Sequence, residues 1–466
     1  MKPLAIVLAI LAVSFPTPPA LAADGATDTL PGYLGNWKLD RAARAALEEG
    51  SAWSDAKLQL ALRIISRLGV APADAYDGWA SEAAAIGPER AAAIGDRFVK
   101  IEGRAIFIAP LVLPAEIAEI VGRKEIDVVR LKAGDGMIVD VLADAAPKAW
   151  PRWRPIDEAA AVIGLAVSIA AGPVPAPPPA DGVAWPVEPA AILVVARRVA
   201  WYPATPLGGL GMDYGLFDTV ADGQKLVGGD TEAFYGMLAA VGRGSAESIE
   251  AAAGPPADIM PLLDPKQRWF ADHRGDPITV DGVARRATRI AIDDPVRRRA
   301  VGADHYWELF VFVPTSLIKI GERLQESYPI VCCVRSLPNG MPTGQNINER
   351  VRVSGFAMKR YAYPLPKVKG EKEQPDRRQE TPLVIGRRAA WVPEPSTAGA
   401  TSFLGWIFAG LAALIGLLLA FGAWRSSRDT RRRERSERDA LPERISLPER
   451  ISLPERISLP ERIERP

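Results

Sequence analysis

Two cysteines and two histidines are all that 466 residues contain. Cys332 and Cys333 are adjacent, which excludes a disulfide framework and a cysteine-based zinc site. His273 and His305 leave little material for histidine-centred catalysis. Net charge is almost absent as well, with 57 basic against 56 acidic side chains. A polyanion binder carries a basic excess, so nucleic acid is not an expected partner. The chain has no Walker loop, no dinucleotide G-x-G-x-x-G and no His-x-x-x-His metal pair. No catalytic residue, cofactor or metal is therefore assigned. Prolines (42) and glycines (40) are plentiful but follow no G-X-Y period, so the chain is not collagen-like. At roughly 100–200 residues per domain, two or three domains with large cores fit the length.

What is present at the two ends predicts topology. Lys2, the apolar stretch Leu4 to Phe15 and the small residues Ala20-Leu21-Ala22 read as an export signal over 1–22, cleaved before Ala23. Twelve apolar residues make only ~18 Å of helix, too short for a ~30 Å hydrocarbon core, so an uncleaved anchor fits poorly. No cysteine lies near the site, which excludes a lipoprotein. Phe403 to Trp424 is an uncharged run long enough to span a bilayer, with Trp406 and Trp424 near its ends. Seven arginines fall between Arg425 and Arg438, and none between Pro395 and Ser402. The positive-inside rule then predicts a single-pass type I protein of the cell membrane, its tail cytoplasmic and its bulk extracytoplasmic. The exported part carries about −3 once the tail's twelve arginines, its nine acids and Lys2 are removed.

The tail repeats Leu-Pro-Glu-Arg-Ile-Ser at 441–446, 447–452 and 453–458, then runs into Leu459-Pro-Glu-Arg-Ile-Glu. A proline every six residues forbids a continuous helix, so 425–466 is expected to be disordered. It is either an expanded repeat without selected function or a multivalent docking strip. Val392-Pro-Glu-Pro-Ser-Thr, followed by a span and arginines, resembles the Pro-Glu-Pro C-terminal sorting signals of some bacterial envelope proteins. The spacer here is long and the tail overruns the arginines, so permanent anchoring is the default and processing the alternative.

Between the ends, the chain matches itself. Ile192-Leu-Val-Val-Ala-Arg-Arg-Val-Ala-Trp-Tyr-Pro203 aligns with Pro382-Leu-Val-Ile-Gly-Arg-Arg-Ala-Ala-Trp-Val-Pro393, eight of twelve positions being identical or an aliphatic swap. Val99 to Gly103 aligns with Ile278 to Gly282, and Val162 to Ala166 with Val353 to Ala357. The order holds throughout, at offsets of 179 to 191, which predicts a tandem duplication. Each copy has a helical lead-in, Asp55 to Leu68 or Thr231 to Ala253, then five β-prone runs. The runs are 98–108, 126–131, 137–143, 161–169 and 192–201, then 278–289, 306–313, 330–334, 351–359 and 383–391. The fourth and fifth are joined by a proline-rich stretch near 173–179 in one copy and a charged one near 367–379 in the other.

Five strands in this order, with Gly103 or Gly282 midway along the first, resemble the OB-fold, a small five-stranded Greek-key barrel. The resemblance concerns fold alone. A generic five- or six-stranded barrel is the alternative. The expected class is mainly β with helical lead-ins (α+β): two tandem OB-like units over 23–203 and 204–394, a linker and transmembrane helix over 395–424, and the tail.

Several residues invite chemistry. Arg197-Arg198 and Arg387-Arg388 suit either an anion clamp or an arginine stacked on its own barrel, and strict alternation places Arg387 on the face of Trp391. Adjacent cysteines on a strand point to opposite faces, so Cys332 and Cys333 read as small hydrophobes. Asp272-His273 and Asp304-His305 have no nucleophile setting beside them. In the second strand of the second copy, Trp307, Leu309 and Val311 share the face expected to line the barrel. Tyr306, Glu308, Phe310 and Phe312 share the other. The first copy has Ile126, Val128, Arg130 and Lys132 there, so the aromatic face belongs to the second copy alone. Tyr306, Phe310 and Phe312 are thus the candidate partner-binding residues, unless the lead-in helix covers them. The expected function is a non-enzymatic binding or scaffold protein of the bacterial cell envelope, its partner an envelope protein. The alternative is an exported membrane-bound enzyme with a site between the repeats. An apolar seam between the repeats would favour the former, and convergent carboxylates or a metal the latter.

Overall fold

The structure, a computed structural model, describes residues 29–47, 53–81, 83–85, 97–167, 172–175, 177–320, 323–364, 378–392 and 406–425. The export segment 1–22, the charged loop over 365–377, the Pro-Glu-Pro motif and the tail beyond Arg425 lie outside the described residues. The chain divides into two compact units, Met1–Glu394 and Pro395–Pro466.

The first unit is mainly β. Helices α1 (Leu30–Asn36), α2 (Arg41–Ala45), α3 (Asp55–Gly69) and α4 (Ala73–Ser81) precede a six-stranded sheet. Its strands are β1 (Ala84–Ala85), β2 (Phe98–Val112), β3 (Glu125–Ala133), β4 (Ile138–Ala145), β5 (Arg154–Val167) and β6 (Ile192–Trp201), with α5 (Ala115–Val121) between β2 and β3. The sheet runs β1-β2-β3-β4-β6-β5, and β2 also pairs with β5. After β6 come α6 (Pro206–Gly209), a 3-10 turn (Tyr214–Thr219), α7 (Gly228–Arg243), α8 (Ala246–Ala253), α9 (Met260–Leu263) and α10 (Trp269–His273). The second sheet holds β7 (Pro277–Ala291), β8 (His305–Ile320), β9 (Arg323–Ser336), β10 (Glu349–Pro364) and β11 (Arg378–Trp391), with α11 (Pro295–Val301) between β7 and β8. It closes into a barrel in the order β10-β11-β9-β8-β7.

Local chemistry explains these elements. Ser54 caps α3 by accepting the N–H of Lys57, and Leu58, Leu62 and Ile65 recur on its buried face. The second lead-in is two helices rather than one, because the chain turns extended at Gly244 and Ser245 caps α8. Both α5 and α11 stop at a glycine in the left-handed region, Gly122 (φ 74°) and Gly302 (φ 70°). Midway along β2, a Cβ on Gly103 would collide with the carbonyl oxygen of Lys132; on Gly282 of β7 it would collide with that of Phe312. Only glycine lets the neighbouring strand pass so closely.

Each sheet packs on two sides. Inside the barrel lie Ile278, Val280, Leu309, Val311, Ile330 and Val384. Outside it, Val331, Phe356, Leu383 and Ile385 meet Ala233, Phe234, Met237 and Leu238 of α7. The first sheet likewise buries Val129, Leu131, Val141 and Val194 on one face, and Val128, Leu142, Leu193 and Val195 against α3 on the other. Strands buried on both faces explain the near-continuous apolar runs of β6 and β11.

The second unit contributes one described helix, α12 (Trp406–Arg425). It has 20 residues with exposed side chains, and an 18-residue window within it reaches a mean hydropathy of 2.2, long and apolar enough to cross a membrane.

Candidate functional site

The outer face of β8 carries the three residues singled out from the sequence. Alternation holds: Leu309 and Val311 point into the barrel, and Tyr306 and Phe310 point out. The expectation that Tyr306, Phe310 and Phe312 form an exposed patch is corrected. Tyr306 and Phe310 are only 8% and 7% exposed, and Phe312 is half-buried. The reason is α7, whose apolar stripe settles on this face. The Phe234 ring meets that of Tyr306 at 5.3 Å. Phe310 stacks edge-on to Tyr363 at 5.5 Å and lies beneath the Arg286 guanidinium at 3.8 Å. Arg286 in turn pairs with Glu308, whose carboxyl is pushed up by burial and pulled back by that arginine. Burial also raises Tyr361 to about 12. This face is therefore a helix-covered core with a paired charge at its edge.

The arginine pairs also depart from expectation. Val162 pairs with Val199 and Gly164 with Ala196, so Ile163 alone faces Arg197 and Arg198. Ser354 alone likewise faces Arg387 and Arg388. Each pair is thus a β-bulge, which inverts the alternation beyond it. Trp391 packs with the barrel interior, whereas Arg387 turns outward and donates to the carbonyls of Val241 and Gly242 in the last turn of α7. That placement favours a cation. Arg197 stacks on Tyr76 at 4.8 Å, Arg198 pairs with Asp213, and Arg388 pairs with Glu247 at 3.1 Å. All four arginines bind their own chain, as the structural reading expected, but not through their tryptophans.

Cys332 joins the barrel interior and Cys333 the layer under α7, so adjacent side chains do face opposite ways. Both thiols are buried and shifted up by that burial. His273 pairs with Asp276 at 2.9 Å rather than Asp272, and His305 contacts Asp304 at 2.5 Å and Arg289 at 3.1 Å.

Where the two sheets meet, an aromatic row runs from Trp150 to Trp201 (6.2 Å), Tyr214 (5.7 Å) and Phe217 (5.1 Å). Tyr214 donates its hydroxyl to the Gly275 carbonyl and accepts one from Thr205 at 2.7 Å. Asp213 accepts the N–H groups of Trp201 and Gly215, both at 2.9 Å. Among the described residues, no group of three or more His, Cys, Asp or Glu could hold a metal ion.

Two buried ion pairs were missed by the sequence reading. Lys359 on β10 donates to Asp230 of α7 at 2.7 Å, both side chains being fully buried. Asp230 also accepts the N–H groups of Val227 (3.0 Å) and Ala221 (3.2 Å), which anchors the start of α7. Arg130 binds Asp140 bidentately at 2.8 and 3.0 Å, and the carbonyls of Pro186 and Glu188 beneath Trp185. The helix expected from Thr231 left Asp230 just outside it, whereas α7 starts at Gly228 and makes Asp230 its third residue. No protein-family model matches the chain, and no curated protein matches it either.

Proposed function

We propose that the chain is a membrane-anchored binding or scaffold protein of the cell envelope, built from two copies of one OB-like module. The observation that carries the anchoring is α12, an exposed apolar helix that ends on Arg425, with six more arginines following by Arg438. It supports a single span with the tail in the cytoplasm and residues 23–394, released from the export signal, on the opposite side.

The pairing pattern supports two copies. In the first sheet β2 pairs with β3 and β5, β3 with β4, and β6 with both β5 and β4, the last in parallel. In the second sheet β7, β8, β9, β10 and β11 repeat these five pairings, again with the third and fifth strands parallel. That is the order of the OB-type barrel. Details recur with it. The Trp201 indole donates to Glu158 at 2.8 Å, and the Trp391 indole to Glu349 at 2.8 Å. Register shifts fall at Ala105/Phe107 and Ala284/Arg286 in the first strands. The bulged arginine pairs complete the correspondence.

The modules meet through the aromatic row, an arrangement suited to holding two barrels together as a platform. Contact with an envelope partner then falls to loops and exposed surface.

Cell fractionation tests the anchor. The full chain should stay in the membrane pellet after alkaline carbonate extraction, and a chain ending at Ser402 should move to the soluble fraction. Extraction of the full chain by carbonate would refute the anchor.

A further inference from the structure

We infer that a cleft beside α9 and α10 binds one carboxylate carried on an apolar group, the chemistry of a peptide's free C-terminus, with Arg268 holding the anion. The cleft has a volume of about 160 Å³. At ~30 Å³ per water, that is space for one aliphatic residue and its carboxylate. Leu262, Phe270 and Trp269 give it an apolar side, beside the charged Asp222, Asp264, Arg268 and Arg360.

Two independent features mark Arg268, the first shared among the described residues with Lys38 and Trp153 alone. Its backbone sits in the left-handed region (φ 49°, ψ 29°), between the 3-10 turn Pro265–Gln267 and α10. Glycine would occupy that conformation without strain, yet an arginine stands there. Strain of this kind collects where a ligand is held. The residue is exposed and lines the cleft, and its guanidinium has no carboxylate partner among the described residues. The neighbouring cations are spent. Arg274 pairs with Asp222 at 2.9 Å, and Arg360 with Glu380 at 2.6 Å.

The cleft also selects charge. Asp222 and Asp264 line it, the former engaged by Arg274 and the N–H of Arg360, the latter by the N–H of Lys266 and by Gln267. Two carboxylates close by repel a dianion such as phosphate more than a monoanion, which can take the Arg268 fork as a bidentate partner. The inference concerns the second module alone and stands whether or not the chain is anchored.

The test uses the full chain in lipid nanodiscs and a fluorescently labelled Gly-Ala-Leu peptide, as free acid and as amide, followed by anisotropy. The free acid should bind saturably and the amide about tenfold or more weakly. Arg268→Gly should weaken the free acid to the same degree while keeping Tm at or above that of the parent, because it relieves the left-handed strain. Arg268→Gln removes the charge at the unchanged backbone and should behave alike in binding. Equal affinity for acid and amide, no saturable binding, unchanged binding in both variants, or displacement of the peptide by equimolar inorganic phosphate would each overturn the assignment.

Discussion

Lys359→Met is expected to destabilise the chain by about 3–5 kcal/mol, read as a lowered denaturation midpoint in urea. The lysine's ammonium is fully buried 2.7 Å from Asp230. Burial pushes its pKa down, and the aspartate partly restores it. Removing the lysine strands a carboxylate in the core between β10 and α7. Asp230→Ala should cost at least as much, since it also removes the acceptor for Val227 and Ala221 at the start of α7. The rescue makes the prediction specific. Asp230→Asn combined with Lys359→Met leaves no buried charge and keeps an acceptor, so the double variant should be more stable than Lys359→Met alone. A double variant no better than the single would show that the pair's charges are not what matters.

The second large effect is steric and falls at matched positions. Gly282→Val is expected to cost more than the about 1–3 kcal/mol typical of overpacking, because its side chain meets the backbone carbonyl of Phe312 rather than a movable group. Gly103→Val should cost about as much, against the carbonyl of Lys132. Gly35→Ala is the control: nothing lies within 4 Å of its Cβ position in α1, so the change should be neutral or stabilise by up to about 1 kcal/mol. Thermal unfolding of the three variants separates close strand approach from a general intolerance of glycine replacement.

Strand existence and order were legible because apolar runs with turn signals between them report strands directly. All ten β-prone runs became strands, mostly longer than expected, as with 330–334 inside Arg323–Ser336. What covers each outer face was not legible. Alternation correctly turned Phe310 and Arg130 outward, but whether outward means solvent depends on which helix, strand or loop arrives there. For Tyr306 it is Phe234 of α7, for Phe310 it is Tyr363 of β10 and Arg286 of β7, and for Arg130 it is the loop at Trp185–Glu188. The apolar stripe of α7 was in the sequence and needed a surface of this kind. The bulges at Arg197-Arg198 and Arg387-Arg388 were hidden for another reason. A bulge adds one residue without changing residue type, so period-2 reasoning carried Arg387 onto the wrong face. The cleft at Arg268 was unreadable, since a left-handed arginine leaves no mark in composition.

Orientation across the membrane is the central proposal, and thiol labelling of intact cells reads it directly. Cys332 and Cys333 are buried, so they contribute little background. Glu116→Cys places a thiol on the exposed side of α5, and Ser436→Cys places one among the tail arginines. With an impermeant maleimide, Glu116→Cys should label on the extracytoplasmic side, and Ser436→Cys should label only after the membrane is permeabilised. Labelling of Ser436→Cys in sealed cells, with Glu116→Cys protected until permeabilisation, would contradict the proposed orientation.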